Sequence, residues 1–449
     1  MNLAAPPAAP EAPVPAGGGP WGAMPAAVGA GLSAFLLVAG VAQIVPVMID
    51  VFDGGLAVTT VLKLGWLYEL AFHRVGIDFV GTGGVSGRLS VAFLTGTAFA
   101  LFVLYRAGRA AADRAGPGLR ARLLAGAAVG PIYAVPIVIA TSLVRLSLHT
   151  GGVFVPETVR VHGVVWQAFA FPALLGIAAG GAGGVIGSLR RGSLTHSWLV
   201  GGWRALLAAL GMAVIGILVL AAARPQGSAT YARVVSANGP RVAALLLGHH
   251  ALLLPDQSFL VLAPSMGGCT SVAGASETIG WLCPGRLPVL TSTALLEDVA
   301  RVDGADPATT GSSPTRPMPA GYWAFLLVPA LATLAAGRYA GGGGPGRVRL
   351  REALARGAGA GVTFAALVGV GSWMAGTSIR VGSSEGSTAT SFTVGPRPLP
   401  TALMALAWGV AGGALGASIR RQGAGTSGPD DPEEPVDPEE PVPPSPTSV

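Results

Sequence analysis

Charge is scarce in this sequence. Only 11% of its 449 residues are Asp, Glu, Lys or Arg, against ~25% in an ordinary soluble domain. A water-facing fold of this length needs more charge to cover its surface. Lysine is almost missing: Lys63 is the only one among 28 basic residues. Cysteine occurs twice, and aromatic residues make up 6%. Apolar residues fill the gap, at 51%, with 68 glycines and a mean hydropathy of +0.60. Disorder over most of the chain is excluded, because it needs low hydrophobicity. What remains is a polytopic membrane protein.

The net charge is +6. Seven of the 22 acids (Asp430, Asp431, Glu433, Glu434, Asp437, Glu439 and Glu440) lie in the last twenty residues, so the rest carries 28 basic against 15 acidic residues. The arginines form short clusters beside apolar runs. That pattern sets topology rather than nucleic-acid binding, and no nucleic-acid partner is expected; the bilayer is.

A membrane helix needs ~20 mostly apolar residues. Eight stretches qualify: Ala26–Met48, Leu89–Tyr105, Leu123–Val144, Val164–Leu189, Trp198–Ala222, Tyr322–Ala336, Gly357–Ala375 and Leu399–Ile419. With eight spans, four arginine clusters fall on one side. They are Arg106 to Arg122, Arg190 with Arg191, Arg338 to Arg356, and Arg420 with Arg421. The positive-inside bias makes that side cytoplasmic. Both termini are then cytoplasmic, in a plasma-membrane protein. Residues 1–22 read as a disordered lead and 422–449 as a disordered acidic, Pro-rich tail. The tail repeats DPEEPV at 431–436 and 437–442, an extended, self-repelling chain. It reads as a solubilising tail or as a docking arm for a basic cytoplasmic partner.

The chain also repeats itself. RARLLAGAAVG opens a unit that ends at GGVIGSLRR, and RVRLREALARGAGAG opens one that ends at GGALGASIRR. Each unit runs from a basic loop through a span, an outer loop and a second span to a closing Arg-Arg pair. A weaker match links residues 57–79 with 241–259, aligning Gly65 with Gly248. The expected fold is therefore an all-α integral membrane protein. It has about eight transmembrane helices in two parallel four-helix halves, residues 23–191 and 192–421, as duplicated even-span units require. The second half carries an outer insertion at 257–319.

Candidate chemistry is sparse. Cys269 and Cys283 lie in the expected outer, oxidising compartment. They read as a disulfide, with two free buried thiols as the alternative. The apolar run 245–267 is interrupted by His249, His250, Pro255 and Asp256, and Pro255 disfavours helix at Leu254. A helix–break–helix follows, re-entrant or lying at the surface. A similar shape recurs from Trp66 to Asp78. Such broken elements in matching halves point to a central site built from Trp66, Glu69, His249, His250 and Asp256. The other reading makes them amphipathic lids. Among ionisable residues, only Glu69 and Asp256 could stand in for a carboxylate deep in a span. The histidine spacings match no metal motif. GSSEG at 382–386 fits GxSxG only formally, without its strand–turn–helix setting. No catalytic residue, metal or cofactor is expected, and the chain reads as a non-enzyme. Gly176, Gly180 and Gly184, with Gly409 and Gly413, form small-xxx-small faces for close helix packing.

The frame, the stretch PDQSFLVLAPSMGGC at 255–269 and the late second cysteine resemble the streptophobe family of multi-pass hydrophobic actinobacterial proteins. The resemblance covers most of residues 20–421. It implies a multi-pass membrane protein and transfers no catalytic residue. Two functions stay open: a permease-like, lipid- or solute-handling protein, or a non-transporting envelope scaffold with an outer disulfide loop and an acidic cytoplasmic tail.

Overall fold

The computed structural model describes residues 22–424, apart from 54–56, 83, 150–157, 188, 190–192, 224–238, 274–277, 284–285, 289–314, 318–319, 342–348 and 384–389. Nearly all of the expected lead and tail lie outside the described residues, as does the Arg190–Arg191 pair.

The helices are α1 (Met24–Ala42), α2 (Ile44–Asp53), α3 (Val58–Phe72), α4 (Leu94–Ala112), α5 (Leu119–Leu143), α6 (Val165–Ile186), α7 (Leu194–Ala223), α8 (Gly239–Ser265), α9 (Leu327–Ala340), α10 (Leu350–Ala375) and α11 (Pro398–Ala424). Among the described residues, seven helical stretches are long and apolar enough to cross a membrane: Met24–Val51, Leu119–Leu143, Val165–Ile186, Leu194–Val219, Trp323–Ala340, Leu350–Ala375 and Pro398–Ile419. The expected second span falls in α4, which is not one of the seven. Leu89 and Ser90 belong to a strand, and Arg106 and Arg109 lie towards the helix's C-terminal end.

These helices turn their large residues outward and their small ones inward. Leu36, Leu143, Ile215, Leu218 and Leu327 are exposed, while Ala27, Ala34, Ala134, Ala209, Ala332 and Ala405 are buried. Lipid solvates leucine, so close backbone packing is what holds such helices together. Gly108 and Gly126 rest on the Gly180 backbone, and Gly130 on that of Gly176. Gly184 sits against the Arg122 carbonyl. In α9, α10 and α11 the same arrangement is made by Gly337 and Gly357 on Gly413, and by Gly361 on Gly409.

The all-α expectation needs correction, because the helices carry a sheet. Its strands are β1 (Ile77–Gly81), β2 (Val85–Ser90), β3 (Leu146–His149), β4 (Thr158–Gly163), β5 (Thr270–Ala273) and β6 (Thr278–Leu282), with β9 (Thr377–Ser383) and β10 (Thr390–Pro396). A separate hairpin joins β7 (Arg286–Pro288) to β8 (Thr315–Pro317). The main sheet is antiparallel with order β3-β4-β1-β2-β9-β10-β5-β6. Segments such as TSIRVGS and TSFTVGP are rich in Thr, Val, Ile and Phe, which suit a pleated surface.

The order of the first four strands recurs in the last four. β1 meets β4 with Ile77 opposite Gly163, and β5 meets β10 with Thr270 opposite Pro396. β3 meets β4 with Leu146 opposite Val161, and β9 meets β10 with Thr377 opposite Val394. The central seam is β2 on β9, in register from Val85↔Ser383 to Ser90↔Ser378. By connectivity the sheet lies at one end of the helices. Arg120, Arg122, Arg338 and Arg349 lie at the other.

α8 also departs from expectation: it runs unbroken through Pro255. A proline inside a helix leaves carbonyls one turn back without a donor. Here the Thr95 hydroxyl donates to the Leu252 carbonyl at 2.7 Å, and Ser258 donates to that of Leu254 at 2.8 Å. Side chains thus supply hydrogen bonds around the proline. The real break comes at the helix end. α3 and α8 both close with the same turn: Val75 N–H reaches the Leu70 carbonyl, and Gly268 N–H reaches that of Ala263, each at 2.9 Å. The residue before each has positive φ, +56° at Arg74 and +98° at Gly267. This is the Schellman pattern of helix termination.

Candidate functional site

Gly65, Glu69 and His73 follow one another at four-residue spacing, so they share one face of α3. Gln43, just past α1, sits over Gly65, where any side chain would collide with its amide. Its Nε2 donates to the Leu62 carbonyl at 3.3 Å. At the other end, His73 is buried between α3 and α5. Its Nδ1 lies 2.8 Å from the Glu69 carbonyl, and its Nε2 lies 2.8 Å from the Tyr133 hydroxyl. A carbonyl only accepts, so Nδ1 carries the proton and Nε2 accepts from the tyrosine. Burial pushes His73 down to about 4, against a smaller upward effect of the Glu69 carbonyl. It stays neutral and fixed.

Glu69 lies between these two anchors. It has no exposed surface, and neither carboxylate oxygen has a hydrogen-bond partner among the described residues. Burial pushes its carboxyl up to about 8. Trp66, one turn back, is buried with its Nε1 unpartnered among the described residues, as is Gln43 Oε1. Unsatisfied buried polar atoms cost folding free energy, and here they come as a group.

Asp256 occupies a different place. One of its oxygens accepts the Leu94 N–H at 3.1 Å. Leu94 is the first residue of α4, which has no capping side chain of its own, so Asp256 caps that helix from α8. Its second oxygen is buried without a partner among the described residues, and burial pushes the carboxyl up to about 7. His250 is exposed, its ring 3.1 Å from Gln257 Nε2. The side chain of His249 lies outside the described residues. Of the five expected site residues, Trp66 and Glu69 therefore share one buried cluster. Asp256 caps a helix, and His250 faces outward.

Cys269 and Cys283 form a disulfide beside the β5–β6 hairpin. Among the described residues, no group of three or more His, Cys, Asp or Glu side chains is placed to hold a metal. Sequence reasoning missed Gln43, His73 and Tyr133 as the residues that flank Glu69 on this face of α3. A tyrosine in an otherwise apolar glycine-faced span was the one signal for Tyr133. Chemically, the cluster can hold one proton or accept bonds from a small cation. No family model, curated protein or solved structure matches this chain.

Proposed function

We propose that this is an envelope scaffold of the plasma membrane: two parallel copies of a four-span unit, joined into one rigid frame that presents a β-platform outside. The halves read as residues 23–191 and 192–421. α4 serves as the eighth span because it occupies the place in the first half that α9 occupies in the second. On the same reading the extra residues of the second half follow β6. Residues 257–282 match the end of α3 and the β1–β2 hairpin. Eight spans put the arginine end and both termini in the cytoplasm. The resemblance to streptophobe proteins agrees with this frame. We assign no catalytic role and no cofactor. The acidic tail is left to meet a basic cytoplasmic partner.

The observation that carries this reading is the β2–β9 seam, a ladder of six residue pairs tying the two halves together. A transporter of parallel repeats works by rocking one half against the other, and that motion must strain or break the seam. The permease-like reading draws on one observation of its own, the buried acids Glu69 and Asp256. Spin labels at Leu119→Cys and Leu350→Cys, both exposed at the arginine end, distinguish the two. In lipid nanodiscs a scaffold yields one narrow distance distribution, unchanged from pH 5 to pH 8. Two populations that exchange with pH would sink the scaffold reading.

A further inference from the structure

The repeated frame allows each buried residue of the first half to be compared with its counterpart. The shared helix-end turn pairs Leu70 with Ala263, so Trp66, Glu69 and His73 correspond to Phe259, Leu262 and Met266. Gly126 and Gly130 on α5 match Gly357 and Gly361 on α10, so Tyr133 corresponds to Phe364. Gly31 rests on the Val129 carbonyl and Gly202 on that of Ala360, so Gln43 corresponds to Val214. Every counterpart is apolar, and Phe259, Leu262, Met266 and Phe364 are themselves buried. The frame therefore closes with an apolar core at this place, and the second half does so. Apolar residues of similar volume usually fill such a site at no loss of stability. The polar set in the first half is not needed to make the fold.

We propose that Glu69 is a proton-binding site, built into the first half alone between Gln43 and the His73–Tyr133 pair. This rests on the duplicated frame but not on the scaffold reading. The carboxyl takes up one proton without a counter-ion and releases it when the pH rises. Elements packed against α3 offer few charges. α2 carries Asp50 and Asp53, α5 carries Tyr133 with Arg120 and Arg122 at its far end, β3 carries His149, and α4 carries Tyr105, Arg106 and Arg109 at its far end. α8, whose Leu253 joins the same core, carries His250 and Asp256. On and beside α3 itself are Lys63, Tyr68, His73 and Arg74, and the Arg74 guanidinium stacks 4.5 Å over the Trp373 ring. None of these that is described bonds to the Glu69 carboxylate.

Infrared difference spectra of the full chain in nanodiscs, taken against pH, test this. The expected result is a protonated-carboxyl band that persists at neutral pH, disappears in alkali and is missing from Glu69→Gln. Glu69→Leu, which copies Leu262, gives the same comparison if the glutamine variant fails to fold. A band unchanged by either substitution, or one lost at ordinary carboxylate pH, overturns the proposal. So does a midpoint that falls when sodium replaces choline, since the site would then hold a metal cation.

Discussion

Replacing Glu69 with leucine should leave the protein folded and remove a specific pH dependence. The carboxyl titrates at about 8 in the folded chain against an ordinary 4.5. A raised acid pKa means that the folded state binds the proton more tightly. Stability is then fully present below 4.5, declines from there to about 8, and is flat above. His73, lowered to about 4, acts with the opposite sign, but its window closes near 6.5. Asp256 completes its own decline by about 7. Between pH 7 and pH 9 the Glu69 carboxyl therefore dominates among these three, over about one unit of pH. At about 1.4 kcal/mol per unit, the wild type should lose roughly 1.4 kcal/mol, about 1.5 °C in Tm for a chain of this length. Glu69→Leu should show no such loss. At pH 9 it should be the more stable protein, by ~1–4 kcal/mol as for other buried charges replaced by apolar groups. Tryptophan fluorescence during heating of the purified protein reads both effects. A variant that keeps the wild-type slope, or is less stable than wild type at pH 9, would refute the reasoning.

Three further outcomes follow from the packing. Gly180→Leu drives a side chain into the Gly126 backbone and should abolish monodisperse protein in size-exclusion chromatography, whereas Gly211→Ala, with open space at its Cβ, should elute as wild type. Asp256→Ala leaves the Leu94 N–H without its acceptor. It should cost ~1 kcal/mol, in line with lost helix caps, measured as a drop in Tm at pH 5, where the raised carboxyl of Asp256 is still protonated. Removing the Cys269–Cys283 bridge, which closes a separation of 14 residues, should cost ~3 kcal/mol in the chain-entropy picture; a serine pair with unchanged Tm would contradict it.

Much of the helical frame was legible because membrane spans announce themselves by length and hydropathy. The glycine pairs were legible too: Gly176, Gly180, Gly409 and Gly413 stand at four-residue spacing, and the structure sets them against Gly130, Gly126, Gly361 and Gly357. The sheet was not. Its strands run from three to seven residues, short enough to read as loops between spans. Pro255 misled in a similar way. A proline signals a break only when no side chain can serve the carbonyls around it, and Thr95 comes from a distant helix. The weak alignment of Gly65 with Gly248 fails for a related reason: the shared helix-end turn instead sets Gly65 against Ser258. Glu69 could be suspected from sequence as a deep carboxylate. Its surroundings could not, because Gln43 at the end of α1 and Tyr133 on α5 meet the same face of α3 at Gly65 and His73.

One sheet joins the first four strands to the last four through the β2–β9 seam. Cysteine pairs across the seam test it in native membranes. Ser90→Cys with Ser378→Cys, which face each other in the β2–β9 register, should form a disulfide rapidly under mild oxidation. Ser90→Cys with Ser383→Cys, at opposite ends of that ladder, should not. Equal cross-linking of the two pairs, or none in either, would contradict the joined sheet and the rigid frame built on it.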